Sequence, residues 1–361
     1  MSELPALKTE IKTEAFRLGF SHFGVAPPIP VPHYPAYQAW VRDGLNANMD
    51  YLSRSDTLAK RGDPRLILDN CQSVICLALP YHRPVSPSGE NRVGKGRVAA
   101  YARTADYHQI IWDLLNQLET YICNRTGREV SVKSYVDTGP ILERSFAAQA
   151  GIGISGKNSC LIIQGSGSYF FLAEILTNLP LPVDAPYTRD LCGSCHRCID
   201  ACPTGCIRPD RTIDAANCIS ALTIEQKGVI PDEKKGFLGG WVFGCDMCQM
   251  VCPHNSHPSE LSSTLGQLQV PEFLDLADLF TLDKTGFEAR FTHTPLSRPK
   301  REGLLRNAAI VLGNQRFSSA LPILNQCLAE ESDPGLLDAC RWAIRKIEGS
   351  PKQTLLQGDS K

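Results

Sequence analysis

The cysteines decide what chemistry this sequence can carry. Residues Cys192-Gly-Ser-Cys195-His-Arg-Cys198-Ile-Asp-Ala-Cys202-Pro203 form an unbroken C-x2-C-x2-C-x3-C-P run. Cys218 follows, and then Cys245-Asp-Met-Cys248-Gln-Met-Val-Cys252-Pro253. Thiolates bind iron, and this spacing offers three sulfurs to one four-iron cube while the fourth crosses to another. Cys192, Cys195 and Cys198 therefore supply three corners of a first [4Fe–4S] cluster, and Cys252 crosses back to close it. Cys202, Cys245 and Cys248 supply three corners of a second. Its last corner falls to Cys218 or Cys206, and Cys218 is preferred because it returns from a separate loop. C-x2-C pairs also build zinc sites, but the third cysteine at x2 and the trailing Cys-Pro favour iron. A chain with two such centres moves electrons one at a time.

Two cubes alone would make a small ferredoxin, whereas here about 180 residues precede the first cysteine run. The length of 361 residues has room for two or three domains. A composition 43% apolar and 21% charged is ordinary for a soluble globular protein. The net charge of −1 gives no global attraction to nucleic acid, so any such contact rests on a local patch. No apolar run approaches the roughly 20 residues that cross a bilayer. The opening Met-Ser-Glu-Leu-Pro lacks the basic head and apolar core of a signal peptide, and no twin arginine is present. Fifteen cysteines without an export signal point to a reducing cytoplasm. Cys71, Cys76, Cys123, Cys160, Cys327 and Cys340 lie among apolar neighbours and read as buried packing.

The positioning elements are legible from periodicity. Residues 9–19 read as an amphipathic helix with Ile11, Ala15 and Leu18 inward. Phe23–Ala26 and Ser73–Leu79 read as strands, and Asp106 caps a helix turning Ile110, Leu114, Leu115 and Leu118 inward. Glu129–Val136 alternates as a strand and ends at Asp137-Thr-Gly-Pro. A helix around 142–150 and strands at 160–164 and 169–176 follow. Residues 1–184 thus form an α/β domain and 185–258 a loop-rich, ferredoxin-like two-cluster domain. Residues 259–361 form a helical domain with HEAT-like rhythm at 303–312, 320–328 and 336–347. The fold class is a multidomain mixture of α+β and α/β. No G-x-G-x-x-G follows a strand, and Gly151-Ile-Gly153-Ile-Ser-Gly156 reads as a turn. Asp106-Tyr-His108 resembles the start of a cobalt-ligating D-x-H-x-x-G box, but Ile111 occupies the glycine position. His108 therefore reads as an ordinary helix residue.

Asp137-Thr-Gly-Pro-Ile-Leu-Glu-Arg, Gly156-Lys-Asn-Ser, the first cysteine run ending Cys-Pro-Thr, Cys218-Ile-Ser-Ala-Leu-Thr-Ile-Glu and Gly244-Cys-Asp-Met-Cys-Gln-Met-Val-Cys-Pro occur together and in order. In that combination, over nearly the whole chain, the sequence resembles the epoxyqueuosine reductases. The resemblance implies cobalamin, two [4Fe–4S] clusters and removal of an epoxide oxygen from the wobble base of tRNA. It also implies an external electron donor and Cys218 as the second cluster's remaining ligand. Asp137 becomes the catalytic acid, a carboxyl whose pKa burial would raise. Arg61, Tyr101, Asp137, Lys157, Asn158 and Asp246 become corrin contacts. Arg298, Lys300, Arg301 and Arg306 become contacts to the anticodon stem-loop, with Arg341, Arg345 and Lys346 on the last helix. The chain is expected to act as a cytoplasmic monomer without a membrane partner. Cys206 and His254 depart from the family pattern, where a small residue and tryptophan are usual. A reductive dehalogenase is the nearest rival; the absence of a twin-arginine signal and the basic helical tail favour the tRNA enzyme. An electron carrier that binds no corrin is the other class.

Overall fold

The computed structural model describes residues 3–82, 92–126 and 129–349. Segment 350–361 of the expected tail lies outside the described residues. Four strands order as His22–Ala26, Ser73–Pro80, Phe170–Thr177 and Val132–Tyr135. Every pairing among them is antiparallel, so the α/β label gives way to α+β for this sheet. Helices alternating with strands suggested parallel crossovers, but sequence order alone does not set strand direction.

All eight residues of both central strands are buried, because helices cover both faces of the sheet. Ile75, Leu77, Leu79, Phe171, Ala173 and Ile175 pack on one face with Ile11, Ala15, Ile111, Leu115 and Leu118. Val74, Cys76, Ala78, Leu172 and Leu176 pack on the other with Phe146 and Ala147 of the helix Glu143–Gln149. Alternation of side chains along each strand feeds the two cores separately. The helix Tyr107–Thr126 starts at the expected cap: Asp106 Oδ1 accepts the His108 N–H at 3.0 Å.

A second sheet draws distant segments together. Lys95–Val98 pairs in parallel with Trp241–Phe243 and antiparallel with Phe273–Asp275. Val98, Ala99 and Ala102 accordingly share a core with Phe243, Leu304, Ile310 and Trp342. Leu265 returns the other way into the core of the first sheet. Boundaries at 184/185 and 258/259 follow composition, whereas the cores follow pairing between remote strands.

The tail carries helices Lys300–Asn314, Leu321–Glu330 and Pro334–Glu348 where periodicity placed them. A Cβ on Gly313 would lie 2.8 Å from Ala343 Cα, which brings the first and third helices into backbone contact. Among the described residues, no helix is long and apolar enough to cross a membrane.

Candidate redox and substrate site

The two cysteine runs interleave as the crossing pattern requires. Cys252 comes within electrostatic reach of Cys192 and Cys195, and Cys198 within reach of Cys192 and Cys252. His254 Nε2 stands 2.9 Å from the Leu191 carbonyl oxygen, tying the end of the second run to the start of the first. Lys157 Nζ donates at 2.8 Å to the carbonyls of both Gly193 and Cys195. Lys157 therefore buttresses this loop.

The other four sulfurs gather deeper. Cys245 lies within reach of Cys218 and Cys202, and Cys248 within reach of Cys245 and Cys218. Cys206 is buried against them, with its Sγ 3.4 Å from Cys202 Sγ and Cys218 close by. Cys160 contacts Cys248 rather than acting as core packing, and Cys123 is exposed. Both depart from the buried-packing expectation. Cys71, Cys76, Cys327 and Cys340 are buried as expected.

Gly244 sets the approach of the second run. Its φ is +67°, and a Cβ there would fall 2.5 Å from Ala99 Cβ. Glycine alone suits both conditions. Asp246, buried, accepts the Ala100 N–H at 2.7 Å and so pins the run to segment 97–103. Burial raises the Asp246 carboxyl to about 6 against the pull of that N–H and of Arg97 and Arg103. Asp246 is thus an anchor between elements.

From Ala100 the chain leads directly to a cluster of ionisable groups. Tyr101 packs edge-on to Tyr107, with ring centroids 6.2 Å apart. The Tyr107 hydroxyl donates to Asp137 Oδ2 at 2.8 Å, and His108 Nε2 stands 3.3 Å from the same oxygen. His108 Nδ1 is 2.8 Å from Asp106 Oδ1, so the imidazole bridges two carboxylates. Tyr107 is held by stacking on Phe171 at 4.1 Å. Asp137 itself has φ +57° at the centre of a tight turn closed by Thr138 N–H to Val136 O at 2.5 Å. A non-glycine residue held there carries strain of about 1–3 kcal/mol. Its own N–H donates to Glu143 Oε1 at 2.6 Å.

The proton distribution differs from the expectation of a raised Asp137. Desolvation pushes its carboxyl up, but the His108 imidazole at 3.3 Å, the Tyr107 hydrogen bond and the Arg298 charge outweigh it and lower the pKa. Burial lowers His108, yet the bonds to Asp106 and Asp137 lift it to about 9. Burial and the neighbouring Asp137 charge raise Glu143 to about 8. Near neutral pH the protons therefore reside on His108 and Glu143, and Asp137 is the anion between them. Behind them Glu174 is fully buried, its two carboxylate oxygens without partners among the described residues. From sequence His108 reads as an ordinary helix residue, and Glu143 was not singled out. The D-x-H at a helix start and the glutamate of the Asp137 motif were the available signals.

Two buried donors have capacity to spare. Arg61 Nη2 donates to Gly139 O at 3.3 Å, while its Nη1 has no partner among the described residues. Asn158 Oδ1 accepts the Cys160 N–H at 3.3 Å, while its Nδ2 is equally unpartnered. Buried donors of this kind are normally satisfied, so both positions suit a ligand rich in amide carbonyls.

The basic patch expected at the tail divides into different roles. Arg298 pairs with Glu225 at 2.8 Å and its charge reaches Asp137, which places it at the mouth of the site. Lys300 is exposed. Arg301 is paired with Glu331 at 2.7 Å and donates to Leu282 O. Arg306 is buried, bonding to the carbonyls of Leu222, Gln226 and Gly228. Arg306 is removed from any RNA surface, and the Arg301 charge is already answered. Helical periodicity placed both at the start of the helix without saying which face turns inward. Arg341, Arg345 and Lys346 are exposed.

Comparison with known proteins bears directly on this arrangement. The family model described as "4Fe-4S double cluster binding domain" matches residues 191–255, and "Epoxyqueuosine reductase QueG, DUF1730" matches residues 61–138. An epoxyqueuosine reductase of Cyclobacterium marinum is 38% identical over 304 residues, covering 83% of this chain and 95% of the relative. The chain belongs to the epoxyqueuosine reductase family. The Pseudomonas aeruginosa epoxyqueuosine reductase is 36% identical over 352 residues, 94% of each chain. Among solved structures, an epoxyqueuosine reductase bound to an epoxyqueuosine-modified tRNA-Tyr stem loop superposes with a TM-score of 0.85 at 30% identity, covering 95% of this chain and 90% of that one. A Bacillus subtilis epoxyqueuosine reductase whose catalytic aspartate loop is swung out of the active site gives 0.82 at 29% identity, with the same coverage.

Proposed function

We propose that this chain reduces epoxyqueuosine to queuosine in tRNA, using two [4Fe–4S] clusters and cobalamin. One continuous set of contacts carries the reading. Asp246 joins the inner cysteines to Ala100, and Tyr101 packs on Tyr107, which holds Asp137. Electrons delivered at Cys245 and Cys248 thus arrive beside the groups that hold protons.

Cys192, Cys195, Cys198 and Cys252 would ligate the outer cluster, and Cys202, Cys218, Cys245 and Cys248 the inner one. Arg61 and Asn158 would hold cobalamin through their spare N–H groups, with Tyr101 against the ring. When bound, these cofactors supply electrons singly, and converting an epoxide to an alkene and water takes two electrons and two protons. Asp137 would relay a proton from His108, its neighbour at 3.3 Å, to the departing oxygen. Glu143, raised to about 8, retains a second proton at the same turn. A general acid positioned in this way contributes roughly 10²–10⁴-fold to rate.

The tail, read as a HEAT-like domain, would present Lys300 and the exposed Arg341, Arg345 and Lys346 to tRNA phosphates, leaving Arg298 near the modified base. An external donor would feed the outer cluster, and the chain would work as a cytoplasmic monomer. The three-part division at 184/185 and 258/259 describes function better than packing.

An anaerobic assay with epoxyqueuosine-containing tRNA, cobalamin and a strong reductant, read by nucleoside mass spectrometry, tests the proposal. Queuosine is the expected product. Iron-replete, cobalamin-loaded protein that leaves epoxyqueuosine intact would reject it.

A further inference from the structure

The inner cysteine nest holds more thiols than one cube can use. Cys202, Cys218, Cys245 and Cys248 account for its four corners, yet Cys206 is buried among them. Its sulfur stands 3.4 Å from Cys202 Sγ, with Cys218 close by. Three features of the local chain put it there. The Cys202-Pro203 step is followed by a turn in which Gly205 N–H donates to Cys202 O at 3.1 Å. Gly205 adopts φ +63°, which reverses the chain toward the nest. Asp214 N–H then bonds to Cys206 O at 2.9 Å, holding the residue against the segment that leads to Cys218.

Resting on the two-cluster reading, we propose that Cys206 is a reserve ligand of the inner cluster, able to close the corner that Cys202 occupies. A thiolate there needs no backbone rearrangement beyond a side-chain rotation, because its sulfur already adjoins the position to be filled. In the exchange the Cys206 thiol gives its proton to the departing Cys202 thiolate, one iron–sulfur bond forms as the other breaks, and no electron is exchanged.

The test is iron and acid-labile sulfide content with electron paramagnetic resonance, on full-length protein purified without air. Cys206→Ala alone should retain about eight iron atoms, as two four-iron cubes require. Cys202→Ala should also retain about eight, with an altered spectrum from the changed ligand, while the Cys202→Ala/Cys206→Ala double variant should fall to about four. If Cys202→Ala alone drops as far as the double variant, Cys206 is not a ligand in reserve. Should Cys202→Ala fail to fold, Cys218→Ala with and without Cys206→Ala makes the same comparison at the other neighbour. A wild-type chain containing about four iron atoms or fewer would instead reject the two-cluster reading itself.

Discussion

The outer and inner cysteine nests carry the same ligand type in opposite surroundings. Around the outer one, Gly193, Ser194, His196 and Arg197 are exposed, and the loop is steadied by Lys157 and His254 from outside. Around the inner one, Gly244, Asp246, Gln249 and Ile219 are buried, and the support comes from strands and helices of two cores. A surface nest is accessible to a donor protein. A nest fastened to Ala100 lies one aromatic contact away from Tyr107 and Asp137. On the proposed function, position in the fold rather than ligand chemistry separates electron entry from electron use.

The sharpest way to break that contrast is to remove one nest at a time. Cys245→Ala should abolish product even in a single turnover by prereduced protein. Cys195→Ala should retain some single-turnover product and lose sustained turnover. Equal loss in both assays would erase the distinction. Next in size, Asp137→Asn should reduce kcat by about 10²–10⁴-fold with iron content and tRNA affinity preserved. Near-normal turnover would separate the inner nest from the proposed proton source.

The His108–Asp137 pair gives a pH signature. With the folded-state pKa of His108 raised to about 9, its ion pair contributes fully below the ordinary histidine value of about 6.5. That contribution is lost as pH rises through about 9. The rate of the chemical step should therefore fall on the alkaline side, and His108→Asn should remove that limb. An unchanged profile in the variant would detach His108 from proton supply.

Smaller effects distinguish buried from exposed cations in the tail. Arg306→Ala should destabilise the fold by about 3 kcal/mol by orphaning buried carbonyls, measured by denaturant unfolding. Lys300→Glu should leave stability unchanged while weakening tRNA binding and reducing its salt slope by about 1. If Arg306 proved to alter the slope without altering stability, the burial-based assignment would be wrong.

Much of this was legible beforehand, for identifiable reasons. Cysteine spacing is a local property, and a turn of fixed length can present only certain sulfurs together. The helices of the tail announced themselves by periodicity, and the central strands by runs of apolar residues. The direction of strand pairing was not legible, since Lys95–Val98 finds Trp241–Phe243 across more than a hundred residues of chain. Nor was the fate of Lys157 or Arg306: a basic side chain looks the same whether it meets solvent, phosphate or a buried carbonyl.

The order of residues by itself determined the cysteine spacing of a double-cluster domain and the motif around Asp137. Each depends on neighbours within a few positions. Only the tertiary structure decided that His108 and Glu143 flank Asp137, that its carboxyl is the anion of the three, and that Cys206 rests on Cys202 with Cys218 close by. Proton affinity and sulfur contact depend on which distant groups share a small volume, and that is set when the sheets and cores close.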